Sequence, residues 1–413
     1  MLARHNGQVV LVWGAIPGER VRARVERTAK GVLYAETMEV LSASSDRRDA
    51  SPDWRCGGNV LAHVSYPRQR QLKSDIIRDA FARIGRLPLA DAPDVVGSPE
   101  LGYRMRARLH ARDGRIGFMR EGSHELCAVG PTGQMLPATV AWIEAAEERI
   151  RRDRLRGLAS IEIAENIPAS QRACHLEVEP GAGAAPFAVL ATEGVTGLSA
   201  QVLDVRGVEQ LSGVDVVSDV LHVTPQDDAR TLRLQRGARA FFQGNRFLLE
   251  LLVRHVAALV PDGPIVDLYA GVGLFGLSLA ASGAADVTLV EGDPISGRDL
   301  AENARPYADR VRVERSSVEA FVARLSPGGD ATCIVDPPRT GMSKEALGGM
   351  TRAKPKRIVY VSCDVATLAR DARALVDGGY SVDAITGIDL FPNTAHVEGV
   401  VVFQRDTAPR VNV

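Results

Sequence analysis

A cysteine between a predicted strand and a predicted helix is the most chemically suggestive residue of this sequence. The run Arg357-Ile-Val-Tyr-Val361 is typical of a short buried strand, and apolar residues recur at helical spacing from Val365 onward. Cys363 is therefore predicted at a helix N-terminus, where the helix dipole lowers a thiol's pKa and favours the nucleophilic thiolate. Because free cysteines are more often small buried core residues, the surrounding sequence must decide whether Cys363 takes part in chemistry.

A glycine-containing loop earlier in the chain predicts a site for a cofactor that carries a ribose. The segment Asp267-Leu-Tyr-Ala-Gly-Val-Gly273 follows an apolar run and opens a helix, and its two glycines let a ligand approach the backbone. Glu291 ends the next predicted strand, about twenty residues on, where a carboxylate would hold a ribose diol. We do not place Gly276 at the third position of the dinucleotide fingerprint, and this favours S-adenosylmethionine over a dinucleotide.

The elements that must position these residues alternate between strand and helix after Phe241. Such alternation predicts an α/β fold with a parallel sheet covered by helices, in which ligands bind at the carboxyl ends of the strands. Three carboxyl residues and Cys363 fall at such ends, so we expect them to share one edge of the sheet. The carboxyl residues are Asp267, Glu291 and Asp336. The predicted strands are Ile265–Leu268, Val287–Val290, Arg310–Val313, Thr332–Val335 and Arg357–Val361, followed by an antiparallel hairpin over 381–404.

A thiolate and a carboxylate beside a methyl donor suit methylation of uracil at C5. Carbon C5 is too weak a nucleophile to take the methyl group directly, but addition of a thiolate to C6 converts the ring into an enolate. A base must afterwards remove the C5 proton so that the thiol can leave. Cys363 is the predicted nucleophile, and Glu398, which follows the loop 391–396, is the predicted base.

Several segments together resemble the RNA uracil-C5 methyltransferase family, whose members make 5-methyluridine in tRNA and ribosomal RNA. The resemblance covers nearly the whole chain, and the segment around Cys363 is its most specific part. The matching segments are Tyr103–Arg108, Gly117–Gly122, Phe241–Asn245, Asp267–Gly273, Asp336–Arg339, Val361–Asp371 and His396–Glu398.

The resemblance implies three domains and a set of site residues. Residues 236–413 would form a class I S-adenosylmethionine-dependent methyltransferase domain of Rossmann-like fold, residues 46–235 a central α/β RNA-binding domain, and residues 1–45 a TRAM-like module, a small OB-like β-barrel that binds RNA. The family's module usually has one more glycine-rich strand before Ala3, so we expect a shortened barrel or a late start codon. The residues implied to contact S-adenosylmethionine are Gln243, Tyr269, Glu291 and Asp336, with Cys363 as nucleophile and Glu398 as proton acceptor.

The five cysteines have no spacing typical of a metal site or a redox pair, so we expect a reduced chain without disulfides. Many ribosomal-RNA members of the family carry an iron–sulfur cluster on four cysteines. Here Cys56 keeps its following glycines, but Asn59 stands where another cysteine would be, and Asp53 and Trp54 occupy the region of the earlier ligands. Because a cluster needs thiolate ligands, we expect no iron–sulfur cluster and no metal.

The balance of 50 Lys and Arg against 51 Asp and Glu makes no case for nucleic-acid binding from net charge. Three arginine clusters nevertheless lie in the N-terminal half, at 20–27, 104–108 and 149–156. Each alone is most simply a solvated face, but together they indicate a basic partner-binding half. The chain has no signal peptide or long apolar run, so we expect a cytoplasmic protein without a membrane segment or an evident obligate protein partner.

The substrate and the reaction have alternatives. The TRAM-like module favours 23S ribosomal RNA over tRNA, because the tRNA enzymes of the family often lack that module. An RNA N-methyltransferase would use Asp336-Pro-Pro to position an amine, although Arg339 follows where such enzymes usually have Tyr or Phe. An RNA 5-methylcytosine enzyme would have a Pro-Cys loop instead. A non-catalytic RNA-binding assembly factor would not need the intact Cys363 and Glu398.

Overall fold

A computed structural model describes residues 1–49, 53–224 and 230–406, so the predicted domain ranges extend beyond the described residues. The N-terminal module is a four-stranded sheet in the order β1-β2-β4-β3. Asn6-Gly7 and Lys30-Gly31 each have two successive positive φ angles, which matches the twist of a tight hairpin turn. The small core of this module contains Val10, Val12 and Ala35. The strands are β1 (Leu2–His5), β2 (Gln8–Trp13), β3 (Arg20–Ala29) and β4 (Val32–Ser42).

The middle of the chain builds a seven-stranded sheet with one helix packed on it. One face of the sheet packs against this helix, where Leu109, Ile161 and Leu176 are fully buried in the same core as Trp142 of the helix. The polar residues that alternate with them along the strands point to the opposite face. The elements are α1 (Tyr66–Arg83), β5 (Val95–Val96), β6 (Arg106–Arg112), β7 (Arg115–Met119), β8 (Leu126–Ala128), α2 (Pro137–Arg152), β9 (Leu158–Glu165), β10 (Arg172–Val178), β11 (Gly197–Val202) and β12 (Glu209–Gly213). The sheet order is β12-β11-β10-β9-β6-β7-β8.

Four elements that lie wholly or mostly within the range 46–235 pack with the C-terminal part. Helix α1 packs with the C-terminal core through Ile77 and Phe81, and β5 pairs in parallel with a strand of the C-terminal sheet. An antiparallel ribbon of β13 (Val216–His222) and β14 (Thr231–Gly237) also joins that core through Leu232 and Leu234. These elements therefore contribute to the core or the sheet of the C-terminal part.

The C-terminal part is the predicted Rossmann-like α/β unit, an eight-stranded sheet between two apolar layers. Alternate residues of its parallel strands enter the two layers, as Ile265 and Val266 show. The predicted parallel strands and final antiparallel hairpin are confirmed, with the third strand one residue later than expected. The elements are α3 (Leu249–Ala258), β15 (Ile265–Leu268), α4 (Leu274–Ser282), β16 (Val287–Val290), α5 (Pro294–Ala304), β17 (Val311–Glu314), α6 (Val318–Val322), β18 (Thr332–Val335), α7 (Lys344–Ala353), β19 (Arg357–Ser362), α8 (Val365–Asp377), β20 (Tyr380–Ile388) and β21 (Glu398–Arg405). A short 3-10 turn at Arg305–Tyr307 belongs to this part, and two others, at Gly130–Thr132 and Ala185–Leu190, lie in the middle of the chain. The sheet order is β17-β16-β15-β18-β19-β21-β20-β5.

The expectation of a chain without disulfides is wrong. Cys56 and Cys127 form a disulfide between the loop before α1 and strand β8, although they are 71 residues apart in sequence. The Gly57 amide donates to the Met119 carbonyl, and β7 pairs with β8, so the backbone itself brings the two cysteines together. No spacing rule could reveal a pair that depends on this tertiary contact. Within the described residues, no group of three or more potential ligand side chains is arranged around a metal position.

None of the described helices is both long enough and apolar enough to cross a membrane.

The disulfide makes a simple prediction about thiol counts. In denaturant without reductant, three of the five cysteines should react with a thiol reagent, because Cys174, Cys333 and Cys363 are free. In the Cys127→Ser variant, four thiols per chain should react under the same conditions, because Cys56 has lost its disulfide partner. The variant should also lose about 2–4 kcal/mol of stability, because a long loop is no longer closed. Five reactive thiols in the wild-type protein before reduction would contradict the pairing.

Candidate functional site

All six residues predicted for the site line a single cleft of about 700 Å³ at the carboxyl ends of the parallel strands. The predicted cofactor contacts are Gln243, Tyr269, Glu291 and Asp336, and the predicted catalytic pair is Cys363 and Glu398. Strand ends from the sheet supply most of these side chains, and the segment between β14 and α3 supplies Gln243. The expectation that Asp267, Glu291, Asp336 and Cys363 share one edge of the sheet is confirmed, because all four lie at the carboxyl ends of neighbouring parallel strands.

The loop after β15 has the backbone needed to enclose a ligand. Tyr269, Gly271 and Gly273 all have positive φ angles, 60°, 58° and 99°, and α4 starts directly after Gly273. The Glu291 carboxylate holds this loop: its Oε2 accepts from the Gly271 amide at 2.7 Å, and its Oε1 accepts from the Asp293 amide at 2.6 Å. Each oxygen keeps a second lone pair for a ribose hydroxyl. Glu291 is therefore placed to organise the loop and to bind the cofactor.

The exclusion of Gly276 from the glycine pattern is wrong. Gly271, Gly273 and Gly276 have the full spacing of the fingerprint, and a Cβ at Gly276 would lie 2.2 Å from Leu289 of β16. Gly276 thus permits the close helix–strand packing that the third glycine provides. Its amide also donates to Asp267 Oδ2 at 2.8 Å, which ties α4 to the end of β15. The glycine spacing therefore does not discriminate between S-adenosylmethionine and a dinucleotide.

The Asp336 loop is fastened by helix α8, and this explains part of the motif that follows Cys363. Thr367 Oγ1 donates to the Arg339 carbonyl at 3.2 Å, and the Met342 amide donates to Asp371 Oδ2 at 2.8 Å. Asp371 is fully buried and also accepts from the Tyr360 hydroxyl at 2.7 Å. On the cleft side, Gln243 Nε2 donates to Asp336 Oδ2 at 3.2 Å.

Cys363 lies between β19 and α8, as predicted, but its thiol is not acidified. Asp364 is the helix N-cap and accepts from the Thr367 amide at 2.8 Å. Burial raises the pKa of the Cys363 thiol to about 11, and the Glu398 carboxylate adds to this rise, while Arg339 opposes it. The sequence-based expectation of a lowered pKa is therefore contradicted, because burial and a facing carboxylate outweigh the helix N-terminus.

Glu398 begins β21 and faces Cys363 across the sheet. The register of β19 and β21 pairs Ser362 with Gly399, so its continuation sets Glu398 opposite Cys363. The Glu398 side chain is 1% exposed, and neither of its oxygens has a hydrogen-bond partner in the described part of the chain. Burial, together with the nearby Asp336, raises the pKa of Glu398 well above its usual range. Such a carboxylate is a strong proton acceptor once it is ionised.

The carboxyl groups around the cleft fit a cationic ligand. Burial raises the pKa of Asp267 to about 8 and that of Asp336 to about 7, and it also raises the pKa of Glu291. A ligand with an ammonium and a sulfonium group would stabilise their ionised forms, and its ribose diol matches the Glu291 position. The donor set therefore fits S-adenosylmethionine.

Sequence reasoning missed two functional positions in this region. Arg339 lines the cleft and lowers the pKa of both Cys363 and Glu398. In the sequence, its position after Asp336-Pro-Pro does not indicate this electrostatic role. Asp371 does not line the cleft and acts through the Asp336 loop. The only sequence signal for Asp371 is an acidic residue one helical turn after Thr367.

Comparisons with known proteins agree with this geometry. The family model for tRNA (Uracil-5-)-methyltransferase matches residues 325–406. The 23S rRNA (uracil(1939)-C(5))-methyltransferase RlmD of Chromohalobacter salexigens is 34% identical over 426 residues, covering 97% of this chain and 86% of that protein. An uncharacterized RNA methyltransferase of Streptomyces avermitilis is 33% identical over 423 residues, covering 97% and 93%.

A solved structure shows the same fold along almost the whole chain. The Pyrococcus abyssi tRNA (uracil-54, C5)-methyltransferase, in complex with S-adenosyl-L-homocysteine, matches with a TM-score of 0.77 and 25% identity, covering 95% of this chain and 94% of that one. The full-length relatives and this cleft lead to one conclusion: the chain belongs to the family of S-adenosylmethionine-dependent RNA uracil-C5 methyltransferases.

Proposed function

We propose that this protein transfers a methyl group from S-adenosylmethionine to C5 of a uridine in 23S ribosomal RNA. The named relatives that are 30% and 34% identical over nearly the whole chain are 23S rRNA enzymes, which supports ribosomal RNA as the substrate. The solved tRNA enzyme, at 25% identity, keeps tRNA as the alternative. An RNA substrate would put the activity in the cytoplasm.

The observation that carries the proposal is the pairing of Cys363 with Glu398 in the cleft that also holds the cofactor loop. An N-methyltransferase would have no use for a thiol opposite a buried carboxyl group. A binding protein would gain nothing from burying the Glu398 carboxyl group beside that thiol without a hydrogen-bond partner among the described residues, because an unpaired buried charge is costly.

Cys363 performs the first step of the proposed reaction. Its thiolate adds to C6 of the target uracil, and the electrons of the C5–C6 double bond move to form an enolate at C4. S-adenosylmethionine supplies the electrophilic methyl group that C5 then receives, and S-adenosylhomocysteine is the leaving group. The side chain of Cys363 remains covalently attached to C6 until the last step, in which the C5 proton is removed.

Glu398 performs this last step. Its carboxylate removes the proton from C5, the C5–C6 double bond re-forms, and the sulfur of Cys363 leaves as a thiolate. Arg339, which lowers the pKa of both groups, helps to keep each in its reactive ionised form. Gln243 holds Asp336 at the cofactor side of the same cleft.

We also propose that the N-terminal sheet (residues 1–45) is a TRAM-like RNA-binding module and that the seven-stranded sheet forms a second RNA-binding unit. The exposed arginines of β3 support the first assignment. Docking of the target uridine would require the base to leave its stack, because Cys363 and Glu398 lie inside the cleft.

The first experiment mixes the protein and S-adenosylmethionine with 23S rRNA or tRNA that contains 5-fluorouridine. Fluorine at C5 cannot leave as a proton, so the RNA should stay attached to Cys363 on a denaturing gel. The Cys363→Ser variant, a matched control of similar size, should form no adduct. Adduct with tRNA alone would move the substrate assignment to tRNA, and adduct with neither RNA would contradict the proposed chemistry.

Removal of the base should trap the natural intermediate. The Glu398→Gln variant should accumulate a covalent adduct with ordinary RNA, because C5 receives the methyl group but keeps its proton. Release of methylated RNA should fall about 100-fold or more. Denaturing gels measure the adduct, and the released methylated RNA is measured in the same preparation. If the variant releases methylated RNA at the wild-type rate and forms no adduct, Glu398 is not the base.

The raised pKa of Cys363 predicts how its reactivity depends on pH. In the free protein, the rate of Cys363 alkylation should rise with pH to a midpoint near the pKa of about 11, because only the thiolate reacts. S-adenosylmethionine should lower this midpoint more than S-adenosylhomocysteine, whose sulfur is uncharged. Glu398→Gln should also lower it by removing a facing negative charge. A midpoint below about 8.5 in the free wild-type protein would contradict the burial argument.

A further inference from the structure

Two regions of arginines that lie apart in the sequence meet at a second cleft. This arginine cleft, of about 760 Å³, lies between the β6–β7 hairpin, the end of α2 and the start of β9. Five arginines and two carboxyl residues line it, although the whole chain has a net charge of −1. The arginines are Arg112, Arg115, Arg151, Arg154 and Arg156, and the carboxyl residues are Asp113 and Glu179.

Most of these guanidinium groups are not neutralised. Arg151 has Glu147 and Glu148 as partners at 3.5 Å and 3.3 Å, and Arg112 donates only to the backbone carbonyl of His124. The other three make no side-chain hydrogen bond or ion pair within the described residues; they are Arg115, Arg154 and Arg156. Elsewhere in the same sheet, arginines are paired, as Arg172 is with Glu165. The cleft thus concentrates exposed, uncompensated positive charge.

Strand β6 connects this cleft with the catalytic cleft. Its residue Arg106 lines the catalytic cleft and Arg112 lines the arginine cleft, about 20 Å apart at the rise of a strand. Arg108 and His110 lie between them on the same face of the sheet. Glu162 and Glu177 neutralise Arg106 and Arg108, so the stripe is charge-balanced near the catalytic cleft and becomes positive at Arg112.

We propose that the arginine cleft binds backbone phosphates of the RNA at a distance from the target uridine. Guanidinium groups bind phosphate oxygens through paired N–H donors, and a run of several unpaired arginines matches the repeating charge of RNA. The assignment rests on the proposed RNA methyltransferase function for the identity of the ligand. It adds that a substrate must extend about 20 Å beyond Arg106 at the catalytic cleft to bind with full affinity.

The test compares two variants that each lose three positive charges. The cleft variant carries Arg115→Gln, Arg154→Gln and Arg156→Gln, and the control carries Arg83→Gln, Arg305→Gln and Arg324→Gln. The control side chains are 77%, 73% and 63% exposed and line neither cleft. Equal melting temperatures and equal affinity for S-adenosylmethionine would show that both variants keep the fold.

Binding of a 23S rRNA transcript is then measured across salt concentrations. For the cleft variant, the dissociation constant should rise about 10-fold or more relative to the control, and the slope of log K against log salt should fall by about 2, since each lost phosphate contact contributes about 0.7–0.9. At saturating 5-fluorouridine RNA, both variants should form the Cys363 adduct as the wild type does. Identical affinities and slopes for the two variants would overturn the assignment.

The same experiment separates the two proposals. If the wild type forms no adduct but the cleft variant still loses RNA affinity, the methylation chemistry fails and the phosphate-binding assignment stands. If adduct forms and the two variants bind RNA alike, the chemistry stands and the arginine cleft has another role.

Discussion

Burial of carboxyl groups around one cleft is the constraint on which the site depends. Four of them, Asp267, Glu291, Asp336 and Glu398, have pKa values raised by loss of solvent. A chain that only had to fold would gain stability by replacing such groups with apolar ones. Their presence makes sense if a cation completes the site, since its charge lets the acids ionise where they are needed. Binding of a cationic cofactor would in this way also ionise the carboxyl groups that accept a proton.

The second constraint is mechanical. The Asp336 loop contains two prolines, which limit its backbone but donate no hydrogen bonds, so other elements must hold it. Helix α8 does this from the side away from the cleft, through Thr367 and the buried Asp371. The helix that follows Cys363 therefore also positions the Asp336 loop. In the proposed reaction, this one helix would support both the thiol and the cofactor side of the cleft.

The sequence could predict the site because buried parallel strands have a strong pattern and their ends must meet. Asp336 and Cys363 follow such strands directly, and Glu398 precedes one. Other features depend on contacts that no local pattern carries. Strand β5 has two residues and no periodicity, and the pairing of Cys56 with Cys127 follows from the β7–β8 hairpin. The pKa of Cys363 depends on its burial and on Glu398, 35 positions away in sequence, and so the helix N-terminus alone gave the wrong sign. The arginine cluster at 149–156 is evident in the sequence, but its meeting with Arg112 and Arg115 depends on tertiary contacts.

The antiparallel pairing of β21 with β19 has a consequence for how this enzyme can vary. The ladder that pairs Ser362 with Gly399 determines where Glu398 stands, so the loop between β20 and β21 has no part in setting the distance from acid to sulfur. Separate contacts hold the loop itself: Asp389 forms a buried ion pair with Lys73, and Asn393 exchanges hydrogen bonds with Gln69. A shift of the ladder by one residue would turn Glu398 to the other side of the sheet. The strand ladder thus positions the acid, while helix α1 positions the loop that lines the cleft beside it.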